Sequence, residues 1–286
     1  MLDIWKKILQ AGGARIYSMG LAFLSLILTA RVLGPEGRGQ YVAITTWTTT
    51  LATVTCLSLG QVVLYRAAQS RGDSWFADSY RVLVTFTGVL SLIGWGIALL
   101  AYLTPLRTVY GDLNPLWLAL GFLLLPFRIW DNYAVALFQA IGKLNSYNVF
   151  LVVSSSVGVL ALVLLVQWQQ AGLPGALAAL LVGQGLLALG GAAALHRLAQ
   201  GYRLPAREAC TAFAGDGLKI HLNTIGMLLI AGVDLLMINY YRGPEETSRY
   251  QIAAQLMGII MLVPQAASLV VSSRISALGP QKAWPL

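Results

Sequence analysis

Long apolar runs divide this chain, and short stretches carrying Gly, Pro and most of the charge separate them. A helix that crosses a bilayer needs about 20 mostly apolar residues. Eight runs meet that length: 14–33, 40–65, 81–103, 115–139, 146–168, 175–196, 217–241 and 249–272. No charged residue occurs from Leu144 to Leu195. That stretch is too long for one span, and Gln167 to Pro174 supplies the polar and turn residues that split it. The pattern predicts an all-α, polytopic membrane protein with about eight transmembrane helices.

One short pattern occurs twice, 209 residues apart. Gly34-Pro35-Glu36, four residues, then Tyr41 returns as Gly243-Pro244-Glu245, four residues, then Tyr250. Gly and Pro end one helix, because Pro cannot continue the hydrogen-bond ladder, and a Tyr at the start of the next suits the water–lipid interface. Any tight hairpin could look like this, but the match at four positions in equivalent hairpins points to duplication. Six predicted spans separate equivalent points, an even number, so the two lobes share one orientation, as parallel repeats about an axis along the membrane normal. The resulting organisation is an interfacial amphipathic segment at 1–13, an N-terminal six-helix lobe at 14–196, and a basic loop at 197–216. The first two helices of a second lobe follow at 217–272, then a short tail at 273–286. Against a six-helix first lobe, a two-helix second lobe is short. The expectation is a fragment or a prematurely ended product, or a chain that assembles with something else.

Composition agrees with a membrane protein: 57% of residues are apolar and 10% charged, where soluble domains carry roughly 25% charged residues. The net charge of +8 does not indicate nucleic acid, because the basic residues are scattered through the loops. Of the 19 Lys and Arg, 13 fall on the side of the N-terminus, five on the other side, and Arg128 lies inside a predicted helix. By the positive-inside rule the N-terminus is cytoplasmic and both Gly-Pro-Glu hairpins face outward. No small-residue cleavage site follows the first apolar run, so the start does not read as a cleaved signal. Cys56 and Cys210 give neither a disulfide framework nor metal spacing. His196 and His221 stand apart, so no metal or cofactor is expected. No phosphate-binding Gly-Lys-Ser/Thr loop is present.

Ionisable groups inside spans are costly and tend to face a cavity or a partner. Arg128 and Asp131 sit on one side of the fourth predicted helix, two residues beyond Pro126, which frees a carbonyl and can kink the helix. They read either as a self-neutralising pair or as a cavity pair in which Arg128 meets a phosphate and Asp131 holds it or titrates. Asp234, about 10 Å below the outer end of the seventh predicted helix, needs a partner on another helix, a path to the surface, or a proton. Arg15 and Lys219 occupy corresponding places at the inner mouths of the two lobes. They either flank an entrance for an anionic headgroup or belong to the positive-inside bias. Thr46, Trp47, Thr49, Thr50 and Thr53 line a Thr-rich helix that either bonds back to itself or forms a glycan path. Ser154, Ser155, Ser156 and Asn148 read as helix packing.

Residues Ile27 to Tyr41 (ILTARVLGPEGRGQY) resemble the first hairpin of polysaccharide flippases, the Wzx-type oligosaccharide transporters of the MATE-like exporter superfamily. Asp234-Leu235-Leu236-Met237 and Tyr250-Gln251-Ile252-Ala253 are similar to the same family's seventh and eighth helices. The resemblance implies a multi-pass protein of the bacterial plasma (inner) membrane. It implies transport, by alternating access between two lobes, of undecaprenyl-diphosphate-linked oligosaccharide to the outer leaflet for cell-surface polysaccharide such as O-antigen or exopolysaccharide. No bond is made or broken. Implied partners are the lipid bilayer, the lipid-linked glycan, a polysaccharide polymerase and chain-length machinery, with protons or another ion as coupling species. Two other readings stay open: a cation-coupled small-molecule exporter of the same superfamily, and a non-functional remnant. A polysaccharide polymerase would want a long outer loop with Arg, His or carboxylates, and the longest outer connection, 104–114, holds only Arg107 and Asp112.

Overall fold

The computed structural model describes residues 2–69, 75–111, 113–231 and 233–260. Among them there is no strand, and almost every residue is helical. The elements are α1 (Leu2–Thr55), α2 (Leu59–Gln69), α3 (Trp75–Leu103), a 3-10 turn (Pro105–Tyr110), α4 (Pro115–Phe122), α5 (Leu125–Ala140), α6 (Leu144–Leu162) continuing into a π-turn (Val163–Trp168), α7 (Gly172–Leu198), α8 (Arg207–Ala231) and α9 (Val233–Ile260). Among the described residues, 2–248 form one compact unit, and the helical residues 249–260 belong to a second.

α1 is two helical arms, 2–33 and 35–55, joined at Gly34 (φ 68°, ψ 179°). Ser18 and Tyr41 border one cavity. In a straight helix they would lie about 35 Å apart, so the chain folds back at Gly34. Inside α9, Gly243 takes the same backbone (φ 83°, ψ −179°). Both glycines precede Pro, which drives the residue before it out of the helical region. Positive φ with extended ψ is open essentially to Gly alone. The repeated motif therefore encodes one repeated turn.

Four helices among the described residues are long and apolar enough to cross a membrane: Ile16–Thr55, Trp75–Leu103, Leu144–Trp168 and Gly172–Leu198. Arg207–Ile230 and Val233–Met257, bent by 41°, make a fifth if counted as one broken span. The sequence reading expected eight continuous spans. The count differs because two expected spans, 14–33 and 40–65, share α1, and three spans, 40–65 among them, are broken. Span 40–65 breaks at Cys56–Ser58, span 115–139 between α4 and α5, and span 217–241 between α8 and α9. The last expected span, 249–272, and the tail lie partly or wholly outside the described residues.

The core joins α2, α3, α5 and α7, where Val62, Leu83, Ile129, Tyr133, Leu137 and Leu195 are fully buried. α6 and α7 approach through small residues: a Cβ on Gly183 would come within 3.2 Å of the Gly158 Cα, as in membrane helices that pack backbone to backbone. Ser154 and Ser156 there donate to the carbonyls of Leu151 and Val152 in their own helix.

Candidate functional site

The second arm of α1 presents a threonine every turn. Thr45, Thr49 and Thr53 donate their hydroxyls to the carbonyls four residues back, at 2.8 to 2.9 Å. Each such proton is thereby spent on the helix, and the oxygen keeps lone pairs free to accept. Among the described residues the Thr46 and Thr50 hydroxyls bond to nothing. Thr45, Thr46, Thr49 and Thr50 face a cavity of about 330 Å³ whose other walls are Arg128 from α5, Leu228 from α8 and Leu235 from α9. Segments assigned by sequence to different lobes thus meet around one guanidinium.

Arg128 sits in the first turn of α5, its N–H bonded to the Leu124 carbonyl at 2.9 Å. Pro126 does not kink a continuous helix, as the sequence allowed; it occupies the opening turn of α5, where its missing N–H costs nothing. Guanidinium and helix N-terminus thus carry the same sign of charge. Among the described residues no carboxylate lies within ion-pair distance of Arg128. Asp131, one turn on, accepts instead from the Tyr147 hydroxyl of α6 at 2.8 Å and is not part of the cavity wall.

The other sequence candidates separate. Trp47 turns to the opposite face of its helix and meets Tyr110 edge-on, with ring centres 5.3 Å apart. Thr53 lines a neighbouring cavity of about 220 Å³ with Ser58, Tyr133 and Thr224. Asp234 is half-buried beside cavity-lining Leu235 and accepts that residue's N–H at 2.8 Å. Lys219 is exposed on α8, one turn from Asp216 and away from the cavity. The Arg15 side chain lies outside the described residues.

Sequence reasoning missed the packing that flanks the cavity along its helices. At one end the helix breaks at Leu57 and Ser58, both in the left-handed region (φ 48° and 51°) without being Gly. A break strands carbonyls that helix geometry would have satisfied, and side chains from two other helices take them. The Tyr133 hydroxyl of α5 donates to the Cys56 carbonyl at 2.6 Å. On α8, His221 Nε2 lies 2.7 Å from the Val54 carbonyl, and its Nδ1 lies 3.0 Å from Ser58 Oγ. A carbonyl only accepts, so Nε2 carries the proton. In the neutral ring Nδ1 then accepts from Ser58, and Thr224 donates into Ser58 Oγ at 2.7 Å. A Cβ on Gly217 would meet the Leu57 carbonyl at 2.6 Å, so α8 lies directly on the break. Below it Arg66 pairs with Asp216 at 2.7 Å and covers the Phe213 ring at 4.1 Å.

At the other end the two Gly-Pro turns touch. A Cβ on Gly39 would fall on the Pro244 carbonyl, and Arg38, Thr247 and Ser248 are buried nearby in their hairpins. The order along the chains agrees: contact, cavity, brace runs 39, 45–50, 54–66 on one side and 244, 228–235, 216–224 on the other. The only local signals of the brace are small or polar residues within an apolar run, Cys56, Ser58 and Gly60.

An all-α bundle whose helices are long and apolar enough to cross a membrane, with the same Gly-Pro turn twice, defines an all-α polytopic membrane protein. The chain belongs to the polysaccharide biosynthesis protein family, whose sequence profile matches residues 4–272. That family is of transporter type, with a general flippase or exporter role in polysaccharide biosynthesis, and the resemblance read from the hairpin agrees with it. Comparison with curated proteins and with solved structures gives no match.

Proposed function

We propose that the protein takes part in moving a lipid-linked oligosaccharide from the inner to the outer leaflet of the bacterial plasma membrane, with its N-terminus in the cytoplasm. The observation that carries this reading is Arg128, facing a threonine-lined cavity with no carboxylate in its wall. A guanidinium matches phosphate geometry in two parallel hydrogen bonds. Hydroxyls with free lone pairs suit the donors of a sugar. An acid-free wall suits an anionic carrier such as undecaprenyl diphosphate better than a cationic drug, which favours this reading over small-molecule export.

The cavity holds a headgroup and not a whole oligosaccharide, so passage requires the hairpin contact and the helix break to part in turn. The hairpin end would open outward and the braced end toward the cytoplasm, which is alternating access. Among the described residues, Asp131, one turn from Arg128, and Asp234, beside cavity-lining Leu235, are the candidate carboxylates to link this cycle to a proton or another ion. The polymerase and chain-length machinery would receive the product. The chemistry is translocation, so the protein acts without breaking a bond.

The test is export. In cells whose surface polysaccharide depends on this protein, Arg128→Ala abolishes surface polysaccharide while the variant still reaches the membrane, and Arg128→Lys retains part of it. Normal export by Arg128→Ala sinks the phosphate assignment. Asp234→Asn with an unchanged pH dependence of export removes Asp234 as the coupling group.

A further inference from the structure

Away from Arg128, a second cleft lies between α3 and α4 at the hairpin end of the bundle. It measures about 200 Å³ and is walled by Trp95, Leu99, Tyr102, Tyr110, Leu118 and Phe122. Two polar groups in that wall are already engaged. The Trp95 indole N–H donates to the Phe122 carbonyl at 2.8 Å, and the Tyr110 hydroxyl donates to the Ala98 carbonyl at 3.3 Å. The Phe122 carbonyl belongs to the last turn of α4, where helix geometry leaves it without a partner. Trp95 therefore both fills that vacancy and fixes its ring as one side of the cleft. An occupant needs to offer no hydrogen bond, and an aliphatic chain is the chemistry that fits.

The cleft opens on the lipid side. Leu99 and Leu103 of α3 and Leu116 of α4 are 57%, 70% and 73% exposed, and α3 is a membrane-spanning helix by length and apolarity. At the rim stands Arg107, exposed, its guanidinium carbon 5.0 Å from the centre of the Tyr102 ring that walls the cleft. An apolar slot with a cation at its mouth matches a molecule with a negative headgroup and an aliphatic tail.

We propose that this cleft is a binding site for one acyl chain of an anionic phospholipid, with the lipid phosphate held by Arg107. A single guanidinium at the rim suits a single phosphate. The occupied site ties the end of α3 to α4 beside the hairpin contact. It rests on the membrane placement of α3 and not on the identity of the transported glycan, so it stands or falls apart from the reading above.

The experiment uses the whole protein in phosphatidylcholine vesicles containing phosphatidylglycerol with a photoreactive diazirine in one acyl chain. Adducts are mapped by mass spectrometry after digestion. Adducts concentrate on peptides from residues 95–122. Arg107→Gln lowers them about fivefold, the loss expected for one basic residue at a lipid surface. Ala119→Trp, a change at an exposed position in the wall, lowers them about tenfold by excluding a few methylenes. The same diazirine on phosphatidylcholine labels these peptides no more than Arg107→Gln labels with phosphatidylglycerol. Adducts spread evenly over α3, α6 and α7, or undiminished in Ala119→Trp, overturn the site. Equal labelling by the two headgroups, or displacement of the probe by an equimolar amount of undecaprenyl phosphate, overturns its assignment to an anionic phospholipid.

Discussion

Along its helices the Arg128 cavity is flanked by a close backbone contact on one side and by a hydrogen-bonded helix break on the other. At the hairpin end, Gly39 lies against the Pro244 carbonyl with no room for a side chain. At the braced end, Ser58, His221, Thr224 and Tyr133 meet the broken helix through directional bonds of 2.6 to 3.0 Å. A brace that opens exposes carbonyls and a hydroxyl, each costing about 1–3 kcal/mol if left buried and unmade. The braced end therefore opens only where water or substrate takes over its bonds, while the hairpin end turns on a backbone approach that leaves no room for a side chain at Gly39. For a carrier with a polar headgroup, that requirement places a substrate-dependent step at the brace.

Five substitutions, in four tests, sharpen or break this comparison. The largest effect belongs to Gly39→Leu. With backbone rather than a mobile side chain in the way, the hairpins cannot close, and stability to denaturant falls by about 3 kcal/mol or more. Wild-type stability in that variant would mean that the shape contact does not hold the end shut.

His221→Ala comes next. It leaves the Val54 carbonyl and Ser58 without their partner, at about 1–3 kcal/mol. In a background with Cys56→Ala and Cys210→Ser, it also raises the reaction rate of Thr50→Cys with a membrane-impermeant thiol reagent. An unchanged rate would show that the brace does not control access.

Gly34→Ala and Gly243→Ala each force a side chain into positive φ, at about 1–3 kcal/mol. Because the two turns share one backbone conformation, the two losses match. Losses differing by more than about 2 kcal/mol would argue against equivalent turns.

Arg66→Ala has the smallest effect. Its pair with Asp216 is partly exposed, at 28% and 39% of the side chains, so the loss is about 0–1 kcal/mol and shrinks as salt rises. A larger, salt-independent loss would put the main hold of the brace at Arg66 and not at His221.

The two ends were also unequally legible. The hairpin end is written locally: Gly before Pro can only turn, and the turn recurs with the motif. The break at Leu57 and Ser58 has neither Gly nor Pro at the strained positions. Its support comes from Tyr133 and His221, 77 and 163 positions away, which no local pattern records. Arg128 stood out because a charge within an apolar run must go somewhere. Leu228 and Leu235 did not, since a cavity-lining Leu and a lipid-facing Leu read alike. Trp47 and the threonines share a run, but a step of 100° per residue sends Trp47 into the core and Thr46, Thr49 and Thr50 into the cavity. Three expected spans proved to be pairs of shorter helices, because apolar length measures how far a run reaches and not whether its helix is continuous.

The most direct measurement is substrate protection at the cavity. Thr49→Cys, in the background lacking Cys56 and Cys210, is treated with a thiol reagent in vesicles with and without undecaprenyl diphosphate. The account predicts that the carrier slows modification when Arg128 is present and has no effect in Arg128→Gln. Equal protection with and without Arg128, or no protection in either, would contradict the assignment of this cavity to the diphosphate headgroup.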